Sequence, residues 1–198
     1  MKIFRSSGGM LCALAAVMLA GCAGGDVARI RTDRLIMRPP GSQALLVRNF
    51  NTANTIVVGD KADKPGVADS QRDKVRNYIS AALVSGLRGE GFNAMAFIEG
   101  AAAPAGALVV DGIVREINNG SGAARFMVGM GAGAASVAAT VRLYLVAAPN
   151  DILAEFDVTG SSKGQGSWGD MTKMNSDNLA KAIVKGYFLK KPLGGPAK

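Results

Sequence analysis

Two stretches near the end of the chain alternate in a way that only a half-buried sheet satisfies. From Val137 to Val146, the residues Val137, Ala139, Val141, Leu143 and Leu145 share one parity, and Thr140, Arg142 and Tyr144 share the other. Further on, Ile152, Ala154, Phe156 and Val158 alternate with Glu155, Asp157 and Thr159. Successive side chains of a strand point to opposite faces, so each stretch is a strand with one dry and one wet face. Pro149-Asn150-Asp151 lies between them and is the expected turn, which makes the pair a hairpin. Glu155 and Asp157 then fall together on the wet face.

The rest of the chain supplies the partners such a hairpin needs. Val75, Ile79, Leu83 and Leu87 recur every four residues, with Tyr78 and Ala82 alongside. That spacing is one face of a helix, started by a capping box of Ser70 and Asp73 and stopped by Gly89 and Gly91. Ala44 to Phe50 reads as a buried first strand, Thr55 to Val58 as a brief extended piece, and Phe92 to Ile98 as a strand. From Ala107 to Ile117 a further strand puts Val109, Asp111, Ile113, Arg115 and Ile117 on one face and Leu108, Val110, Gly112 and Val114 on the other. Apolar groups on both faces place it centrally in the sheet. Ser176 or Asp177 caps a last helix through Leu179, Ala182, Ile183 and Tyr187, which Pro192 ends. Strand, helix, several strands with a late hairpin, then a helix: the order is that of a small α+β domain.

The beginning of the chain belongs to a different physical problem. Lys2 and Arg5 precede an apolar run from Met10 to Ala20, which Gly21, Gly24, Gly25 and Asp26 cut short. A spanning helix needs about 20 apolar residues, so the run reads as a secretion signal removed from the final protein. The tetrapeptide Leu19-Ala20-Gly21-Cys22 resembles the bacterial lipobox, in which cleavage falls between Gly21 and Cys22 and the cysteine carries a diacylglycerol. The alternative is cleavage near Ala20 or Ala23 by an ordinary signal peptidase. Two acyl chains on Cys22 and a third on its freed amine hold far more firmly than one, since each buried methylene contributes roughly 0.8 kcal/mol. In the lipoproteins this resembles, an Asp after the cysteine retains the product in the inner membrane. Ala23 stands there, which implies the outer membrane, on its periplasmic side.

The expected organisation is therefore a signal peptide over 1–21, a lipidated flexible tether over 22–43, one periplasmic domain over 44–191 and a tail over 192–198. Gly24, Gly25, four arginines (Arg29, Arg31, Arg34, Arg38) and Pro39-Pro40-Gly41 mark the tether. As coil, about 20 residues reach roughly 25 Å. Val27, Ile30, Leu35 and Ile36 interrupt it, so pairing of part of it as an edge strand is the alternative.

Composition removes most chemistry. The chain has no histidine, and its two cysteines are Cys12, in the signal, and Cys22. The usual general base, the usual partner of a nucleophilic serine and the usual zinc ligands are all missing, and no cofactor or metal is expected. After residue 21 there are 21 Lys and Arg against 15 Asp and Glu, a net of +6. A secreted chain with that moderate excess, and without aromatics interleaved among its charges, points away from nucleic acid and towards anionic lipid or cell-wall polymer.

Gly129-Met-Gly131-Ala-Gly133 looks like a phosphate-binding loop and lacks its machinery: no Lys and Ser or Thr follow, and the glycines lead into a strand. A bulge or tight strand entry accounts for them better, with membrane contact by the uncharged run Phe126 to Val141 as a further reading. Trp168, the single tryptophan, suits either a sugar or protein contact or a cap on the core.

The lipobox, the strand from Ala107 to Val114, the segment from Arg125 to Gly133 and the hairpin ending Phe156-Asp-Val-Thr-Gly160 together resemble a family of bacterial lipoproteins of unknown function. More distantly they are similar to the periplasmic domains of the penicillin-binding-protein activator LpoB, the curli secretion lipoprotein CsgG and the amino-terminal domain of TolB. The resemblance implies a mixed sheet with helices packed on one side, no catalytic residues, and work done by contact with envelope partners. The expected function is thus non-enzymatic: protein–protein interaction or self-assembly at the envelope. A binding module for peptidoglycan or anionic headgroups is the first alternative, and a subunit of a secretion or transport assembly the second. An enzyme would have to rest on carboxylates such as Asp111 with Glu116, or Glu155 with Asp157.

Overall fold

A computed structural model describes residues 24–121, 134–162 and 168–192, the side chains of residues 168 and 169 excepted. Gly21, Cys22, Gly129, Gly131 and Gly133 lie outside the described residues.

The fold is α+β: one mixed sheet of seven strands, with the helices on one face, as the sequence leads one to expect. The strands are β1 (Gly24–Asp33), β2 (Ala44–Val47), β3 (Ile56–Val58), β4 (Asn93–Ala96), β5 (Leu108–Asn118), β6 (Ala135–Leu145) and β7 (Ala148–Ser162). Helix α1 is Val67–Gly89 and α2 is Trp168–Lys181, continued by a π-helical turn over Ala182–Tyr187 and a 3-10 turn over Phe188–Lys190. The sheet order is β1-β7-β6-β5-β2-β4, and β3 also pairs with β5. β2 and β3 lie end to end along the same edge of β5, both parallel to it, with Asn51 bridged to Ile113 between them.

The core lies between the sheet and the helices. Val75, Ile79, Leu83 and Leu87 of α1 are fully buried against Leu45, Val47, Leu108, Val110, Val141 and Leu143. Each such side chain contributes about 1.5–3 kcal/mol by leaving water. Under α2, Tyr187 stacks on Phe156 with ring centroids 4.3 Å apart. The helix approaches β1 and β7 at backbone distance: a Cβ on Gly25 would lie 2.1 Å from the Asn178 carbonyl oxygen, and one on Gly160 2.1 Å from that of Asn175.

Local details depart from the sequence expectation. The segment read as a tether begins with β1, which pairs antiparallel with β7 from Gly24↔Ser161 to Asp33↔Ala154. The edge-strand alternative therefore holds for Gly24–Asp33, because Val27 packs against the core. Helix α1 starts at Val67 after Gly66, whose φ of 74° ends the preceding loop, and Ser70 is already inside it. Helix α2 likewise begins well before Ser176, which is buried and bonds the Thr172 carbonyl at 2.9 Å.

Three irregularities of register move side chains between faces. A bulge between Val114 and Glu116 carries Ile117 to the helix side, away from Val109. The β6–β7 turn is Val146 and Ala147, and Pro149-Asn150-Asp151 bulge out of β7 instead of forming it. Proline, with no amide to donate, fits such an excursion. A separate bulge at Leu153, between the pairs Leu143↔Ala154 and Tyr144↔Ile152, puts Ile152 on the face opposite Ala154, where it joins Tyr144.

Candidate functional site: the open face of the sheet

Among the described residues no helix covers the second face of the sheet. Its lower part is a small apolar cluster of Ala44, Leu46, Ala107, Val109 and Tyr144, with Phe97 and Ile152 packed against it. Above this the residues form rows set by the register. Asp111, Arg142 and Glu155 stand side by side on β5, β6 and β7, and the next row is Ile113, Thr140 and Asp157.

The charges of these rows are interlocked. Arg142 Nε donates to Glu155 Oε2 at 2.6 Å. Arg31, thrown onto this face by a bulge in β1, reaches Glu155 at 3.1 Å and Asp157 at 2.7 Å with its two terminal nitrogens. Asp157 also accepts from the Thr140 hydroxyl at 2.8 Å and lies 3.4 Å from Arg115. The Arg142 hydrogen bond, with Arg31 beside it, holds the Glu155 carboxyl below the usual carboxylate range.

A second group sits at the β2 side. Arg48 pairs with Glu99 at 2.6 Å, lies over the Phe97 ring at 4.7 Å, and donates to the Tyr144 hydroxyl at 3.3 Å. Tyr144 in turn donates to Asp111 at 3.5 Å. Burial, and then the neighbouring Asp111 carboxylate, push the Tyr144 phenol up. Across the face, Arg31, Arg48, Arg115 and Arg142 meet Glu99, Asp111, Glu155 and Asp157, and the next row of the register adds Glu116 and Asp26 beside Ala138 and Thr159. Ile113, 40% exposed, is the large apolar residue among them.

Glu155 and Asp157 are brought to one face, as their alternation requires, and both are held by arginines. Asp111 and Glu116 are not brought together: five residues of strand separate them, roughly 16 Å. Trp168 is the first residue of α2. The sequence reading missed Arg31, because its bulge lies in a segment taken for a tether, and Arg48, because a single arginine at a strand end carries no periodic signal. Among the described residues no group of three His, Cys, Asp or Glu side chains could hold a metal ion. A polar groove of about 720 Å³ lies between α1 and the loop after β2, and its arginines, Arg72 and Arg76, are paired with Asp69 and Asp73 of their own helix.

The fold and this face define a class: a two-layer α+β domain with one sheet face packed by helices and the other, among the described residues, open and charge-paired. A family described as a domain of unknown function (DUF4410) matches residues 45–166, and the chain belongs to that family. No curated protein matches the chain. Among solved structures, the chain is similar to the PelC dodecamer from Paraburkholderia phytofirmans, at 17% identity and a TM-score of 0.44, covering 80% of this chain and 94% of that one. It is also similar to protein XCC0632 from Xanthomonas campestris, of the DUF330 family, at 14% identity and a TM-score of 0.42, covering 83% and 93%. These matches carry the family and no further. The likeness to lipoproteins, and to LpoB, CsgG and TolB, stays with the sequence motifs that suggested it.

Proposed function

We propose that this is a non-enzymatic protein of the bacterial envelope, acylated at Cys22 on the periplasmic side of the outer membrane, whose domain docks another protein or a further copy of itself on the open sheet face. The observation that carries this reading is the ordered face itself. Arginine and aromatic groups that are already positioned, around an exposed Ile113, are what protein interfaces favour. Glu155 and Asp157 each have two arginines within 4 Å, which speaks against acid and base work by this pair.

The reading of an anionic polymer or lipid as ligand finds less support, since the arginines of the face and those of the α1 groove are already paired with carboxylates. Photocrosslinking in cells tests the proposal. A photoreactive residue at Ile113 is expected to give one adduct of defined mass, lost in an Arg142→Glu background, and the same group at Lys74 on α1 none. Smears of equal strength from both positions would sink it. Intact mass of the native chain beside Cys22→Ala tests the anchor separately.

A further inference from the structure

The register places five strand ends in one line. Val58 of β3 pairs with Asn118 of β5, Asn118 with Ser136 of β6, Ser136 with Ser161 of β7, and Ser161 with Gly24 of β1. The loop Gly59–Gly66 closes against the same line, with the Asp60 amide donating to the Gly120 carbonyl at 2.9 Å. Helix α1 starts from that loop, and α2 starts there too, since its later residues run along β1 towards Asp33, to which Tyr187 donates at 2.9 Å. At the far end lie the β6–β7 turn, the start of β5 and the C-terminus of α1.

Gly24 is two residues from Cys22. Two residues span at most roughly 7 Å, so an anchor on Cys22 leaves no free tether at all. A coil of 20 residues would let the domain tumble roughly 25 Å from the bilayer. The incorporation of Gly24 into the sheet removes that freedom.

We infer that the line of strand ends at Gly24, with the Gly59–Gly66 loop, is a membrane-contact surface: the domain stands end-on upon the lipid headgroups that hold its anchor. The inference rests on the reading of Cys22 as acylated. The strands then run along the membrane normal, and the β6–β7 turn projects roughly 35 Å away, the length of an 11-residue strand. The open face looks sideways, towards neighbours in the same membrane. The loop carries Lys61 and Lys64 against Asp60 and Asp63, so the short link, and not attraction between unlike charges, brings this end to the surface.

Cys12 and Cys22 are the only cysteines of the chain, so the acylated protein offers no competing thiol to a label. Lys64→Cys and Ala147→Cys place one exposed label at each end. The acylated proteins are reconstituted in phosphatidylethanolamine and phosphatidylglycerol vesicles doped with a headgroup-nitroxide lipid. Quenching several-fold stronger at position 64 than at 147 is expected. Equal or reversed quenching, with acyl mass present on Cys22 and the protein floating with the vesicles, overturns the orientation alone. Absence of acyl mass and of flotation overturns the anchor, and the orientation with it.

Discussion

Gly112 sits in β5 where a methyl group would lie 2.2 Å from Cε1 of Phe50, a ring with no exposed surface. Gly112→Ala must push that ring into a filled core, and overpacking of this kind costs about 1–3 kcal/mol. Urea unfolding is expected to show the loss, and Phe50→Leu in the same chain to recover part of it; a double mutant no better than the sum of its parts would refute the clash. Tyr187 gives a second residue-scale expectation. Burial, and then its hydrogen bond to Asp33, push its phenol far above the ordinary value of about 10. Above pH 10 the unfolded chain loses this proton while the folded one keeps it. The stability is thus complete below pH 10 and declines as pH rises beyond it. Tyr187→Phe should lose about 1.5–3 kcal/mol at neutral pH, the value of a hydrogen bond to a charged group, and its stability should fall less steeply between pH 10 and 12. Denaturant midpoints over that range test this, and parallel declines in both proteins would contradict it.

At the scale of elements, α2 depends on two glycines that let it lie directly on the sheet. A Cβ at Gly160 would meet the Asn175 carbonyl at 2.1 Å and the Leu179 amide nitrogen at 2.5 Å, both backbone atoms that no rotamer change can move aside. Gly160→Ala is expected to cost about 1–3 kcal/mol, and to do so by lifting α2, which hydrogen exchange would register as lost protection in Leu179 to Val184 before the β5 and β6 amides change. Uniform loss across the sheet would argue against that account. Much of this architecture is legible in the sequence. The period-two runs of β6 and β7 and the period-four run of α1 survive in the structure because one face of each is buried, and burial enforces phase. The bulges at Arg115 and at Leu153 are not legible, since a bulge inserts a residue without altering local composition, and they are what moves Ile117 and Ile152 to unexpected faces. The starts of α1 and α2 were misplaced for a related reason: Gly66 ends the loop by its backbone, with no side-chain cap for a sequence pattern to find.

For the molecule as a whole, the question is whether residues 24–33 belong to the domain or merely lead to it. Composition argued for a tether, because glycines and arginines dominate the stretch. Packing argues otherwise: Val27 touches the core, Arg31 holds both Glu155 and Asp157, and Asp33 receives Tyr187 and Lys191. A chain begun at Gly24 should therefore be as stable as the full mature chain. One begun at Arg34 leaves the edge of β7 unpaired, two carboxylates short of an arginine and the Tyr187 hydroxyl without its acceptor. That chain should lose several kcal/mol and associate through the bared strand, as open edges do. Thermal unfolding and light scattering of the two proteins at matched concentration decide the matter. Equal midpoints and two monomers would restore the flexible tether, and with it a domain free to reach well away from its anchor.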